Sequence, residues 1–261
     1  MMLPAALLLM AATATAQGVK LYTKSGQVID YPYTVLDSIV NVDHDITAPD
    51  GVVAVDLGLP SGTKWANMNV GATAPEKFGD YFQWGETTPC TDLSENVRWN
   101  ANYTPGGTAF TGTDAPDCGT DKDPMFVVGI LSKDTANRWQ CDIGGNPKYD
   151  AATANWGIGW RMPSPEQIDE LCRKCTWTWT RLNGVQGYEV KSKTNDNSIF
   201  LPAPGYRLRA ELNSAGTGNY WSSRVYHLFA SHAFCLMFTS LDETLFTGSR
   251  YIGYPIRPVA K

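Results

Sequence analysis

Two cysteines at close spacing, three histidines and a scatter of carboxylates are the residues of this chain that could carry chemistry. Cys172 and Cys175 form a CxxC pair. A structural zinc site wants two such pairs or added histidines, so the lone pair is a weak metal signal. Redox pairs sit at helix N-termini, whereas this one lies near a helix C-terminus. Two buried thiols filling a helix–sheet interface are the expectation. The three histidines are His44, His227 and His232. His227 and His232 have no adjacent acid and read as loop histidines rather than metal ligands. A glycosidase needs two inward carboxylates. Glu86, Glu166, Asp169 and Glu170 are available, but Glu166 is accounted for by a helix first turn, and nothing selects a pair. The acidic run Asp114, Asp117, Asp121, Asp123 lacks the calcium-loop spacing and its glycine, and reads as a solvated loop. No catalytic set, metal or cofactor is expected, so the chain is read as a non-enzyme.

The elements that would position these residues are mostly short. The clearest helix begins at Ser164-Pro165-Glu166-Gln167, a capping box with proline at the first helical position. Ile168, Leu171, Cys172 and Cys175 follow at i, i+3, i+4 and i+7 and make one apolar face. Strand-like runs with turn punctuation come after it: Trp177–Trp179, Tyr188–Val190, Ser198–Leu201, Tyr220–Ser223, Ala233–Phe238 and Ile256–Val259. Before it, Val19–Tyr22 and Val28–Tyr31 flank a Ser25-Gly26 turn, Thr34–Val42 is a third apolar piece, and residues 45–51 read as a linker. Residues 86–150 are rich in Thr, Asp, Gly, Asn and Pro, and form an excursion too long for an ordinary loop. One solid helix among many short strands is an α+β pattern.

Composition narrows the function classes. Charged residues are 18%, below the roughly 25% average, the net charge is −5, and there is no basic run, which excludes a nucleic-acid binder of the usual kind. Nine Trp, with 24 Gly and 16 Pro, disfavour a helical bundle and point to rigid aromatic scaffolding or an aromatic binding face. Residues 1–16 read as a signal peptide: an apolar stretch Leu3–Met10 runs into Ala14-Thr15-Ala16, with a mature start at Gln17. The n-region carries no Lys or Arg. No segment is long and apolar enough for a transmembrane helix. The expected localisation is therefore secreted or cell surface. Six Cys in an exported chain permit disulfides without requiring them.

Several ordered motifs carry a family resemblance across residues 52–261. They are Val55-Asp56-Leu57-Gly58-Leu59-Pro60-Ser61-Gly62-Thr63-Lys64-Trp65-Ala66; Gly79-Asp80-Tyr81-Phe82-Gln83-Trp84-Gly85-Glu86; Trp156-Gly157-Ile158-Gly159-Trp160-Arg161-Met162-Pro163-Ser164; Ser198 to Tyr206; and Gly218-Asn219-Tyr220-Trp221-Ser222-Ser223 with Arg257-Pro258-Val259. Together they resemble the Fibrobacter succinogenes major paralogous domain, a family abundant in secreted proteins of Bacteroidetes. Leu21–Gly26 with Leu36–Ile39 resembles the small N-terminal β-unit (residues 17–44) that precedes such domains. The resemblance implies a C-type-lectin-like fold with short twisted sheets, one or two helices and long loops, related to formylglycine-generating domains. Oxidase chemistry of that kind needs paired late cysteines, and only Cys235 lies in the C-terminal third. Calcium-dependent sugar binding in the lectin mode needs a Glu-Pro-Asn-like loop, and none occurs.

The same resemblance makes the segment between Trp221-Ser222-Ser223 and Arg257-Pro258-Val259 a ligand face, one that is diversified by a retroelement in some relatives. Strand alternation puts Phe234, Leu236 and Phe238 on one face, taken as core, and Cys235, Met237 and Thr239 on the other. The candidate ligand-binding residues are Arg224, Tyr226, His227, Phe229, His232, Cys235, Met237, Phe246, Tyr251 and Tyr254. Aromatics and histidines there suit an unidentified protein or carbohydrate ligand at the cell exterior, because they offer contact area with few rotors. The competing expectation is a structural or adhesive surface protein without a small ligand. Trp99 and Trp139, in the excursion, are the two tryptophans the motifs leave unexplained.

Overall fold

The computed structural model describes residues 19–22, 28–31, 48–89, 132–208, 211–229, 232–250 and 252–260. The signal peptide, the piece Thr34–Val42, Trp99, Cys90, Cys118, the acidic run 114–123 and Tyr251 lie outside them. The chain divides into two compact units, Met1–His44 and Asp45–Lys261. In the first, β1 (Val19–Tyr22) pairs antiparallel with β2 (Val28–Tyr31), Val19 opposite Tyr31 and Tyr22 opposite Val28.

The second unit is α+β: small antiparallel sheets and, among the described residues, two helices. Its chain ends meet in one four-stranded sheet. β3 (Ala54–Asp56) pairs with β4 (Lys64–Ala66), and β16 (Val259–Ala260) lies between β4 and β7 (Trp160–Arg161), with Val259 opposite both Trp65 and Arg161. The Ile256–Val259 run is expected as strand, but only its last residue is in one. Pro255 and Pro258 bring no N–H to a ladder, so the segment joins through carbonyls instead, Ile256 accepting from Val70 and Pro258 from Ala66. The excursion ends in a hairpin, β5 (Ser132–Lys133) with β6 (Trp139–Gln140), and runs into α1 (Ala151–Trp156).

α2 (Pro165–Lys174) forms where the capping box places it. Ser164 Oγ accepts from Gln167 N at 3.3 Å and Gln167 Oε1 accepts from Ser164 N at 2.9 Å. Two otherwise orphaned donors are thereby satisfied, contributing about 1 kcal/mol. Ile168 and Leu171 are fully buried, at about 1.5–3 kcal/mol each. The helix stops one residue before Cys175, which begins β8 (Cys175–Leu182) and is buried there. β8, β9 (Val185–Ser192) and β10 (Ser198–Pro202) form a meander in the order β10-β9-β8. A hairpin β11 (Tyr206–Leu208) with β12 (Glu211–Asn213) follows, and then the sheet β13 (Gly218–Val225), β14 (His232–Phe238), β15 (Glu243–Ser249).

That last sheet sits between two apolar clusters. Ala233 and Cys235 enter one, with Trp84, Trp156, Cys141, Trp221 and Tyr254. Leu236 and Phe238 enter the other, with Trp65, Ile168, Leu171, Tyr188 and Tyr220. Both faces of β14 are therefore covered along its middle. Cys235, expected at the surface, is 1% exposed for this reason, and Tyr254, also expected at the surface, is buried against Trp221 at 4.2 Å between ring centroids. Trp65, Trp84, Trp156 and Trp221 are all buried, as scaffold residues are.

Candidate functional site

The ladder between β13 and β14 shifts register between Trp221 and Val225, a bulge after which Val225 pairs again, opposite Ala233. The stretch after β6 lies along this end of β13. Val225 N donates to Cys141 O at 3.0 Å, Ile143 N donates to Ser223 O at 2.9 Å, Trp139 N donates to His227 O at 2.8 Å, and Asp142 bridges to Arg224. The tail of the excursion is thus stitched alongside the proposed ligand segment.

A groove of about 510 Å³ opens there. Trp139 and Gln140 line it together with Glu166 and Asp169 of α2 and with Phe234 and Leu245. The volume is that of a small-ligand cleft. Arg224 is also in the lining. Its guanidinium donates to Glu166 Oε1 through Nη1, and its Nη2 lies 3.5 Å from Asp142 Oδ2. Partial burial raises the Glu166 carboxyl, but the hydrogen bond and charge of Arg224, with backbone donors, outweigh it and hold Glu166 below its ordinary value. The pair is largely open to solvent, so its contribution to stability is small and its effect is to orient Arg224. Lys133 Nζ lies 4.3 Å from the Trp139 ring centroid, a cation–π contact.

Beside the groove the β13–β14 connection carries a continuous aromatic cluster. Tyr226 meets Phe234 edge-on at 5.4 Å and touches His227 at 4.8 Å and Phe229 at 6.0 Å, while Phe229 meets His232 at 6.0 Å. Leu228 and Phe229 are 54% and 59% exposed. His232 shares a hydrogen bond with Ser249 Oγ at 3.1 Å, and burial holds its imidazole below the ordinary value.

Of the candidate residues, Arg224, Tyr226, His227, Phe229 and His232 come together. Met237 is half-buried and Phe246, opposite Cys235 on β15, is half-exposed, both away from the groove lining. Cys235 and Tyr254 belong to the core. Most of the groove lining lies outside the candidate set, Phe234 and Trp139 included. Phe234 was expected in the core with Leu236 and Phe238, but it lies at the end of β14 where the covering cluster stops. Trp139, which the motifs leave unexplained, lines the groove. The four described cysteines are not activated nucleophiles: burial pushes the thiols of Cys141 and Cys172 up to about 12 and that of Cys175 to about 11, and moves Cys235 in the same direction. Among the described residues no three His, Cys, Asp or Glu side chains gather as a metal site, and no helix is long and apolar enough to cross a membrane. No family model, no curated protein and no solved structure matches the chain.

Proposed function

We propose that the chain is a non-catalytic ligand-binding module, exported to the cell surface or medium and built on a C-type-lectin-like plan. A protein or carbohydrate ligand seats across the Arg224 groove and the aromatic cluster beside it. The observation that carries this reading is the cluster itself: His227, Phe229 and Phe234 each in contact with Tyr226, with Phe229 more than half exposed. Rigid aromatics offer large contact area at low entropic cost, and the oriented Arg224 adds directional donors. The unactivated thiols fit a binding role better than thiol chemistry.

Glycan and protein arrays probed with wild type and with Trp139→Ala, His227→Ala and Phe229→Ala test the reading. Binding by wild type, weakened at least about tenfold by each change, is the expected result. No binder on either array, or binding indifferent to all three changes, would sink it in favour of a structural surface protein. Diversification of the segment is checked separately, by sequencing the flanking DNA for a reverse transcriptase and a near-copy of the 3′ end.

A further inference from the structure

The β8–β9–β10 sheet has two unlike edges. Asn183 and Gly184, with φ of 49° and 84°, form a two-residue loop between β8 and β9, closed by Leu182 opposite Val185. In such a hairpin the closing pair is hydrogen bonded and the pattern alternates from there. The N–H and C=O groups of Thr176, Thr178 and Thr180 therefore point toward β9. Those of Trp177, Trp179 and Arg181 point outward from the sheet. Carried across to β10, the same alternation turns Phe200 and Pro202 to the opposite edge. There the Phe200 carbonyl accepts from Arg257 Nη2 at 2.9 Å, the Pro202 carbonyl accepts from Tyr220 OH at 2.6 Å, and Pro202 has no N–H to offer. Both carbonyls at that edge are occupied. At the β8 edge no hydrogen bond from another described residue reaches the outward groups of Trp177, Trp179 or Arg181.

β8 also lacks the devices that blunt an exposed edge. From Cys175 to Thr180 it holds no charge, no proline and no bulge. Its sequence Thr176-Trp177-Thr178-Trp179-Thr180 reads the same in both directions. Trp177 and Trp179 pack edge-on against Tyr188 and Phe238, yet are only partly buried, and no described strand lies beyond them.

We propose that β8 is the seam of a symmetric dimer, pairing antiparallel with β8 of a second copy about Thr178. A two-fold contact must be self-complementary, and the palindrome meets that condition at every position. Trp177 falls opposite Trp179 of the second copy as a hydrogen-bonded pair, Thr176 falls opposite Thr180, and Thr178 meets itself. The outward backbone groups are satisfied and the open sides of the indoles are covered on both copies. The two sheets merge into one of six strands, an ordinary size. Arg181 then lies opposite Cys175 of the second copy, next to its Lys174. These like charges repel, so association strengthens as salt screens them.

Sedimentation velocity on the full chain, from about 1 µM to about 1 mM, reads the dimer directly. Thr178 is exposed, so Thr178→Lys and Thr178→Glu keep the fold, which far- and near-ultraviolet circular dichroism verifies. Each places like charges face to face at the two-fold and weakens the dimer about tenfold or more. An equimolar mixture of the two variants sets Lys against Glu and restores association. A wild type that stays monomeric over the range overturns the proposal and leaves the edge to another protein's strand. So does association indifferent to both variants, or a mixture that fails to recover.

Discussion

Asp150→Asn is the sharpest test of how the groove is held. Asp150 is fully buried, and its carboxylate accepts four backbone N–H groups. Oδ1 takes Ala152 at 2.8 Å and Thr153 at 3.1 Å, and Oδ2 takes Gly145 at 2.7 Å and Met162 at 2.9 Å. It caps α1 and ties the loop before it to the strand that leads into α2, which lines the groove. Burial pushes the carboxyl above its ordinary value, while the four donors pull it back. Every partner is a donor, so a proton on either oxygen would point at an N–H, and the arrangement suits the anion. Asparagine keeps one accepting oxygen and turns an NH₂ toward two N–H groups. Two buried donors lose their acceptor, at about 1–3 kcal/mol each. A total of about 3 kcal/mol lowers the Tm of a unit this size by about 6–12 °C. All nine Trp follow residue 44, so Trp fluorescence on heating reports this unit alone. A Tm within about 2 °C of wild type would refute the reasoning, because a protonated carboxyl is the one state that an amide replaces without loss.

Two further outcomes follow. Phe229→Ala, at an exposed site, changes stability by less than about 0.5 kcal/mol, whereas Cys235→Ser puts a hydroxyl into an apolar cluster and costs about 1–3 kcal/mol; urea unfolding midpoints separate them, and equal effects would contradict the placement of Cys235. Acid weakens the β13–β14–β15 sheet: the folded His232 value lies below the ordinary 6.5, so its contribution is present above pH 6.5 and is lost as pH falls through the folded value. His232→Gln removes that part of the Tm-versus-pH slope, and an unchanged slope would rule the histidine out as its source.

The local elements were legible because their causes are local. Ser164, Pro165 and Gln167 are adjacent in sequence, so the start of α2 needs no knowledge of the rest of the chain. The strand runs after it carry their own turn residues, and Asn183-Gly184 closes β8 on β9 by its own dihedrals. Export rests on the signal-peptide pattern of residues 1–16, and the family and the C-type-lectin plan rest on motif resemblance; none is read from local geometry. Partial failure came at β16, where the prolines of an apolar run had to be weighed against its composition.

The site was legible in part, and the division has a physical reason. Period-two alternation assigned the two faces of β14 correctly, with Phe234, Leu236 and Phe238 together and Cys235 and Met237 together. Alternation says which residues share a face and nothing about what covers it. A sheet packed on one side only converts that directly into core and surface. This sheet lies between two clusters, so exposure depends on position along the strand: Cys235 in the middle is sealed, and Phe234 near the end opens onto the groove. The groove itself joins residues far apart in the chain, Trp139, Glu166, Arg224 and Phe234, and the register that joins them is set by a bulge at the end of β13 and by backbone bonds to Cys141 and Ile143. Those bonds are made by groups every residue carries, so side-chain pattern holds no trace of them. What the pattern did hold was a residue with no local explanation. Trp139 sits in a polar excursion, in none of the family motifs, and the structure packs it against the rim of the first apolar cluster, where it also lines the groove.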